Sequence, residues 1–313
     1  MLYNLDDIGS VQIAREYVAL RAVPLQNLIG LHLPAVNVMS PEAFTPLRQK
    51  ALDQIPAAVQ SLVLIWSKPY AVGCMSITTA VAAGFSSEFC RPQCARTPMN
   101  PLFNSDGWLP ADTVGWWPAM LLPSDDLDLA RALIKRGMNA DFSAPPGTVY
   151  LIRTNDTARN VRAVTYGAVQ ESLGGRLRVV QRAASAAGDV ADVIGYFTGV
   201  PQVTELPHLT FRPGALADHL TSSGGVLDGT GQMPATAWLK QGATASYGSV
   251  SEPCNLLEKF PDPRILFEQY MQGETALEAY WKSVAMPGQG LFIGEPLSRP
   301  FARHTAETQS AVK

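Results

Sequence analysis

The sequence predicts a three-layer α/β protein built on a mainly parallel sheet, with one irregular insertion. Three observations carry that prediction. Strand-like and helix-like stretches alternate from the first residue, which implies parallel strands joined by helical crossovers and covered on both faces. Ser61-Leu-Val-Leu-Ile-Trp66 is a short unbroken apolar run, the pattern of a strand buried on both sides. Apolar residues make up 47% of the chain and charged residues 16%, which favours an interior-rich fold over disorder. At 313 residues a single core nears its usual limit, so two lobes are expected.

In order, Met1 to Asn4 reads as a strand running into a turn at Asp6 and Asp7, followed by an amphipathic run from Ser10 to Arg21. Leu28 to Leu33 reads as an apolar strand. Ser40 with Pro41 is an N-cap followed by proline at the first helical position, where a missing N–H costs nothing. With the Ser61 to Trp66 strand this makes a βαβαβ opening. From Pro69 to Pro123 the pattern breaks into scattered Gly, Pro and Cys, ending near Trp116 and Trp117, and this stretch is expected to form a cap over one edge of the sheet.

Asp125 to Arg136 then reads as a helix closed by Gly137. A strand at Gly147 to Arg153, a helix from about Thr157, strands near Val190 to Phe197 and Ala243 to Tyr247, helices at Pro263 to Met271 and Thr275 to Ser283, and a last strand at Leu291 to Ile293 complete the alternation. The expected divisions are a lobe at 1–68, an insertion at 69–123, an α/β lobe at 124–301 and a polar tail at 302–313 that includes His304. Ligands in such sheets sit beyond the carboxyl ends of the strands.

A formal charge of -3 and scattered Lys and Arg argue against a nucleic-acid partner. Arg176, Arg178 and Arg182 fit one face of a solvated strand. No run is long and apolar enough for a transmembrane helix. No leader precedes the first strand, which implies either a cytoplasmic protein or an exported one whose signal is missing from this chain. No GxxxxGK[ST] loop, no strand-linked GxGxxG and no GxSxG elbow is present, and Gly229-Thr-Gly231 reads as a turn, so no nucleotide cofactor is expected.

The chemistry-bearing candidates are few. Cys90-Arg-Pro-Gln-Cys94, with Cys74 upstream, offers three thiolates but no nearby fourth ligand for zinc, so a metal is not expected. A local Cys90–Cys94 disulfide or buried thiols are the alternatives. Cys254 falls just past a strand, where active sites of parallel sheets are built. With His219 as base and Glu252 or Asp218 orienting it, it makes a candidate thiol nucleophile, against the alternative of a buried or bridged cysteine. His32 and His208 read as structural. Asp141, Arg159 and Arg162 are either pocket-lining groups or caps and surface ion pairs.

Gly242-Ala-Thr-Ala-Ser-Tyr-Gly-Ser-Val-Ser-Glu-Pro-Cys254, Tyr280-Trp-Lys-Ser283, Pro287-Gly-Gln-Gly-Leu-Phe-Ile-Gly-Glu-Pro-Leu297 and Thr157-Ala-Arg-Asn-Val-Arg162 resemble an uncharacterised bacterial protein family over nearly the whole chain. Members of that family often carry an export signal, which implies a periplasmic or secreted protein. Gly294-Glu-Pro296 and the Gly242 strand are more distantly similar to gingipain-type cysteine peptidases. That resemblance implies a caspase-like fold. Those peptidases take their histidine from a Tyr-Thr-Gly-His-Gly segment, which Gly195-Tyr-Phe-Thr-Gly-Val-Pro201 resembles with Val200 in the histidine's place. Their nucleophile ends the next strand, expected here near Thr210 to Arg212, where no cysteine stands.

The expectation is therefore a non-catalytic binding protein of the envelope or exterior. Its cleft, with Tyr196, Thr198 and Asp218, would act together with Trp116 and Trp117 on a peptide or carbohydrate partner. The alternative is a hydrolase using Cys254 and His219.

Overall fold

Local capping chemistry fixes where several helices begin. The side chains of Asp7, Ser40, Ser76, Asp126, Asp262 and Thr275 each accept a hydrogen bond from a backbone N–H of the first turn, and Thr275 with Glu278 forms a reciprocal capping box. The computed structural model describes residues 1–91, 94–184 and 188–303. His304 and the tail beyond it lie outside the described residues.

The chain order is β1 (Leu2–Asn4), α1 (Ile8–Arg21), β2 (Ile29–Leu31), β3 (Val38–Met39), α2 (Pro41–Leu52), β4 (Leu62–Ile65), β5 (Ala71–Val72), β6 (Met75–Ser76), α3 (Ile77–Ala83), α4 (Pro110–Val114) and β7 (Ala119–Leu122). It continues through α5 (Leu127–Ala140), β8 (Thr148–Arg153), α6 (Tyr166–Leu173), β9 (Arg178–Ala183), β10 (Val190–Thr198), β11 (Leu209–His219), α7 (Thr236–Gln241), β12 (Ala245–Ser249), α8 (Pro263–Met271), α9 (Ala276–Ser283) and β13 (Gly290–Gly294).

One sheet of ten strands runs β2-β1-β4-β7-β13-β12-β11-β10-β8-β9, and β3, β5 and β6 form a small second sheet. The large sheet is mostly parallel, but β13 runs antiparallel to β12 over five paired residues and also bridges to β7 at Ile293–Leu121. The two expected lobes thus share a single sheet. Helices cover both faces, as the successive residues Tyr196 and Phe197 of β10 show: Tyr196 packs on Trp238 of α7, whereas Phe197 packs edge-on against Phe267 of α8.

Four expectations need correction. The 69–123 segment is not merely a cap, because α3 is buried along nearly its whole length and β7 is a fully buried strand inside the sheet. Gly137 does not stop α5, which runs on to Ala140. A Cβ at Gly137 would lie 2.8 Å from both Cγ and Cδ of Glu295, so glycine there makes room for a buried carboxylate. β11 does not end near Arg212; it passes through Pro213-Gly214, with Gly214 at φ 86, and continues to His219. The helix expected from about Thr157 starts as a 3-10 turn at Asn160–Thr165 before α6.

Glu295, just past β13, is fully buried and accepts hydrogen bonds from Tyr17 Oη at 2.8 Å and from Arg21 Nε at 3.0 Å and Nη2 at 2.6 Å. Arg21 also pairs with Asp141. Burial raises the Glu295 carboxyl above its ordinary range while Arg21 draws it back. This network fastens β13 to α1 and α5.

Candidate functional site

The loops that follow β8, β10, β11 and β12 converge at one edge of the sheet. Thr154 Oγ1 donates to Gly199 O at 2.8 Å, tying the loop after β8 to the end of β10, and Gly225 N donates to Ser249 O at 2.8 Å, tying the loop after β11 to the end of β12. The second tie needs backbone against backbone: a Cβ on Gly248 would stand 2.5 Å from Gly225 N. The same edge joins the first half of the chain, because Ser251 Oγ donates to Cys74 O at 2.7 Å and Tyr70 Oη donates to Asp228 Oδ1 at 2.8 Å.

Between these loops lies a cleft of about 310 Å³, lined by Ala158 and Arg159 after β8, Leu220 to Ser222 after β11, and Glu252, Cys254 and Asn255 after β12. A position beyond the carboxyl ends of parallel strands is where such sheets bind ligands. Arg159 is the organising cation. Its Nη1 donates to Asp156 Oδ2 at 2.9 Å and its Nε to Thr221 Oγ1 at 3.2 Å, while Nη2 has no partner among the described residues. Thr221 Oγ1 in turn donates to Gln232 Oε1 at 2.7 Å, and that oxygen also accepts from Ser223 N at 2.7 Å. The guanidinium is thus held in place with one face of donors still available.

Lys259, 2% exposed, lies close enough to Glu252 for their charges to interact. Burial pushes its pKa down and the Glu252 carboxylate pulls it back up.

The expected catalytic pair is not assembled. Cys254 is bonded to Cys94, with Cα atoms 5.2 Å apart, and Cys74 is bonded to Cys90, with Cα atoms 5.5 Å apart. These pairings replace the expected Cys90–Cys94 bridge and leave no thiolate for a nucleophile or a metal. Glu252 Oε1 accepts from Cys254 N at 2.7 Å and so shapes the turn at the disulfide.

His219 is 1% exposed, and both of its ring nitrogens are engaged. Trp238 Nε1, which can only donate, lies 2.9 Å from Nδ1, so Nδ1 is the acceptor and Nε2 carries the proton given to Met233 O at 2.9 Å. Desolvation lowers the imidazole to about 4. It is a neutral core group.

The other expected site residues are mostly interior. Tyr196 and Thr198 are 3% and 2% exposed, and Asp218 is fully buried with Oδ1 2.6 Å from Arg162 Nη2. Burial outweighs the attraction of Arg162 and raises the Asp218 carboxyl. Trp117 stands two residues before the start of β7, and Trp108 donates to Ser61 beside the start of β4 at 2.8 Å. Trp116 packs edge-on against Trp281. Trp108 and Trp117 therefore flank the amino ends of strands, away from the cleft at the carboxyl ends.

Of the residues left open by sequence, Arg159 lines the cleft, whereas Asp141 and Arg162 serve ion pairs. His32 and His208 are exposed beside Asp6 and Asp189. Sequence reasoning missed Thr221, Ser222, Gln232 and Asn255; the Ser222-Ser223-Gly224-Gly225 turn after a strand was the signal that marked their loop. Compared with known proteins, the chain matches no family model, no curated protein and no solved structure.

Proposed function

We propose that this chain is a non-catalytic binding protein of caspase-like fold, resident in an oxidising compartment, whose cleft takes an extended peptide segment. The observation that carries the reading is the cleft itself: a positioned Arg159 with free donors, hydroxyl and amide groups around it, and a Cys254 sulfur closed into a disulfide at its rim. Hydrogen-bond donors and acceptors on both walls suit main-chain amides and a terminal or side-chain carboxylate. Peptide is favoured over carbohydrate because none of the residues that line the cleft is aromatic, so a sugar ring has no platform to stack on.

The adjacent strands β10 and β11 support the caspase-like reading, since a strand ending before Val200 is followed by a parallel neighbour. The end of that neighbour is Asp218-His219, and no cysteine stands there either. Two disulfides suit an exported protein. The hydrolase alternative needs a free Cys254 sulfur and a free His219 nitrogen, and neither is available in the disulfide-bonded chain.

A fluorescent random-hexapeptide library screened against the full chain tests the proposal. Binders are expected whose affinity falls at least ten-fold in Arg159→Ala. If no binder emerges, or if the Arg159→Ala protein binds them equally well, the cleft is not a peptide site.

A further inference from the structure

The large sheet ends in β9, which pairs with β8 along its whole length and has no strand on its other side. Ala184 N donates to Arg153 O at 2.9 Å, one step past the last pair, and this fixes the phase of the ladder. The even-numbered residues of β9 turn their backbone groups to β8, so the N–H and C=O of Val179, Gln181 and Ala183 point outward. No other segment bonds to them among the described residues. The opposite edge of the sheet, β2, is only three residues long, and such short edges discourage pairing.

The two faces of β9 differ. Val179 is buried, and Gln181 accepts from Arg153 Nη2 and donates to Gln170 of α6, each at 2.8 Å, so the odd-numbered side chains belong to the helical layer. Arg178 and Arg182 alternate with them on the other face. Arg176 and Arg178 are exposed, and no carboxylate pairs with either among the described residues. From Gly147 to Ala184 the chain carries six arginines but only two carboxylates, Asp156 and Glu171, although the whole molecule has a net charge of -3. Asp156 is already committed to Arg159. The edge is therefore a row of open backbone groups in basic surroundings.

We propose that the β9 edge takes an extended acidic segment of a partner protein, which adds to the sheet as a further strand. Main-chain hydrogen bonds to Val179, Gln181 and Ala183 give the segment its hold, and carboxylates on alternate residues meet Arg178 and Arg182 across the strands. A second copy of this chain is the poorer occupant. Antiparallel pairing of two β9 edges would bring Arg178 and Arg182 of both chains onto one face, like charge against like. The proposal does not depend on the peptide cleft.

Polarisation titrations of the full chain with a labelled, capped peptide that alternates glutamate with threonine, and with its lysine counterpart, test the assignment. The glutamate peptide is expected to bind at least ten-fold tighter. Ala183→Pro removes an outward N–H at an exposed position and is expected to weaken that peptide at least five-fold with the unfolding midpoint unchanged, whereas Ala183→Ser keeps both the N–H and the affinity. Equal affinity for the two peptides, or indifference to Ala183→Pro, overturns the proposal. Arg159→Ala is expected to leave the affinity unchanged; a loss there would locate the peptide in the cleft and equally overturn it. Sedimentation that shows a dimer separated by Ala183→Pro would give the edge to a second copy and refute the acidic partner.

Discussion

His219 offers a quantitative test of whether the molecule carries a usable general base. In the folded state the imidazole accepts from Trp238, donates to Met233 O and is lowered to about 4, whereas an unfolded histidine titrates near 6.5. Because the folded pKa is depressed, the unfolded state binds a proton first as pH falls. Stability from this residue is therefore intact above about 6.5, is lost progressively between about 6.5 and about 4, and then levels off.

Between pH 7 and pH 4.5 the loss covers roughly two pH units, or about 2.5 kcal/mol at 1.36 kcal/mol per unit. His219→Gln keeps one donor and one acceptor but does not titrate. Urea unfolding of both proteins at both pH values isolates the residue, since the buried carboxyls titrate alike in each. Wild type is expected to lose about 2.5 kcal/mol more than His219→Gln on acidification. Equal losses, or an imidazole NMR titration centred near 6.5, would refute the engaged neutral histidine and restore a candidate base.

Further outcomes follow from the packing. Gly137→Ala gains about 1 kcal/mol of helix propensity but presses a methyl group into the Glu295 side chain, an overpacking cost of 1–3 kcal/mol on top of a disturbed buried ion pair; a net loss of about 2 kcal/mol is expected in thermal unfolding, and a neutral result contradicts the close approach. Cys94→Ser opens a link between residues 160 apart and is expected to cost about 3 kcal/mol, while non-reducing peptide mapping should yield Cys74–Cys90 and Cys94–Cys254 fragments; a Cys90–Cys94 fragment overturns the pairing. Trp117→Ala is expected to lower stability by roughly 2 kcal/mol, less than for a fully buried ring, yet to leave peptide affinity unchanged, and a loss of affinity would place the binding surface at the other edge of the sheet.

Elements whose ends carry their own chemistry were legible in the sequence. Proline and an acidic cap marked α8 at Pro263–Met271, and the Thr275 capping box marked the start of α9. β7 was not legible, because four apolar residues between Pro118 and Pro123 look like the interior of a turn until neighbouring strands flank them. Pro213-Gly214 hid the length of β11 for a similar reason, since a bulge and a break share one local signature.

The site was harder still to read. Cys94 finds Cys254 across 160 residues, Arg159 finds Thr221, and Trp238 occupies the nitrogen that His219 would need as a base. None of these pairings has a period or a spacing. Trp108 and Trp117 lie beside the amino ends of strands, a placement that aromatic composition does not reveal.

Under the proposed function, the cleft holds a peptide without cutting it. The most direct test incubates a selected hexapeptide with the disulfide-bonded chain, follows binding by polarisation and then weighs the recovered peptide by mass spectrometry. Saturable binding that Arg159→Ala removes is expected, with the peptide returned intact after prolonged incubation. Cleavage that disappears in Cys254→Ala would contradict it.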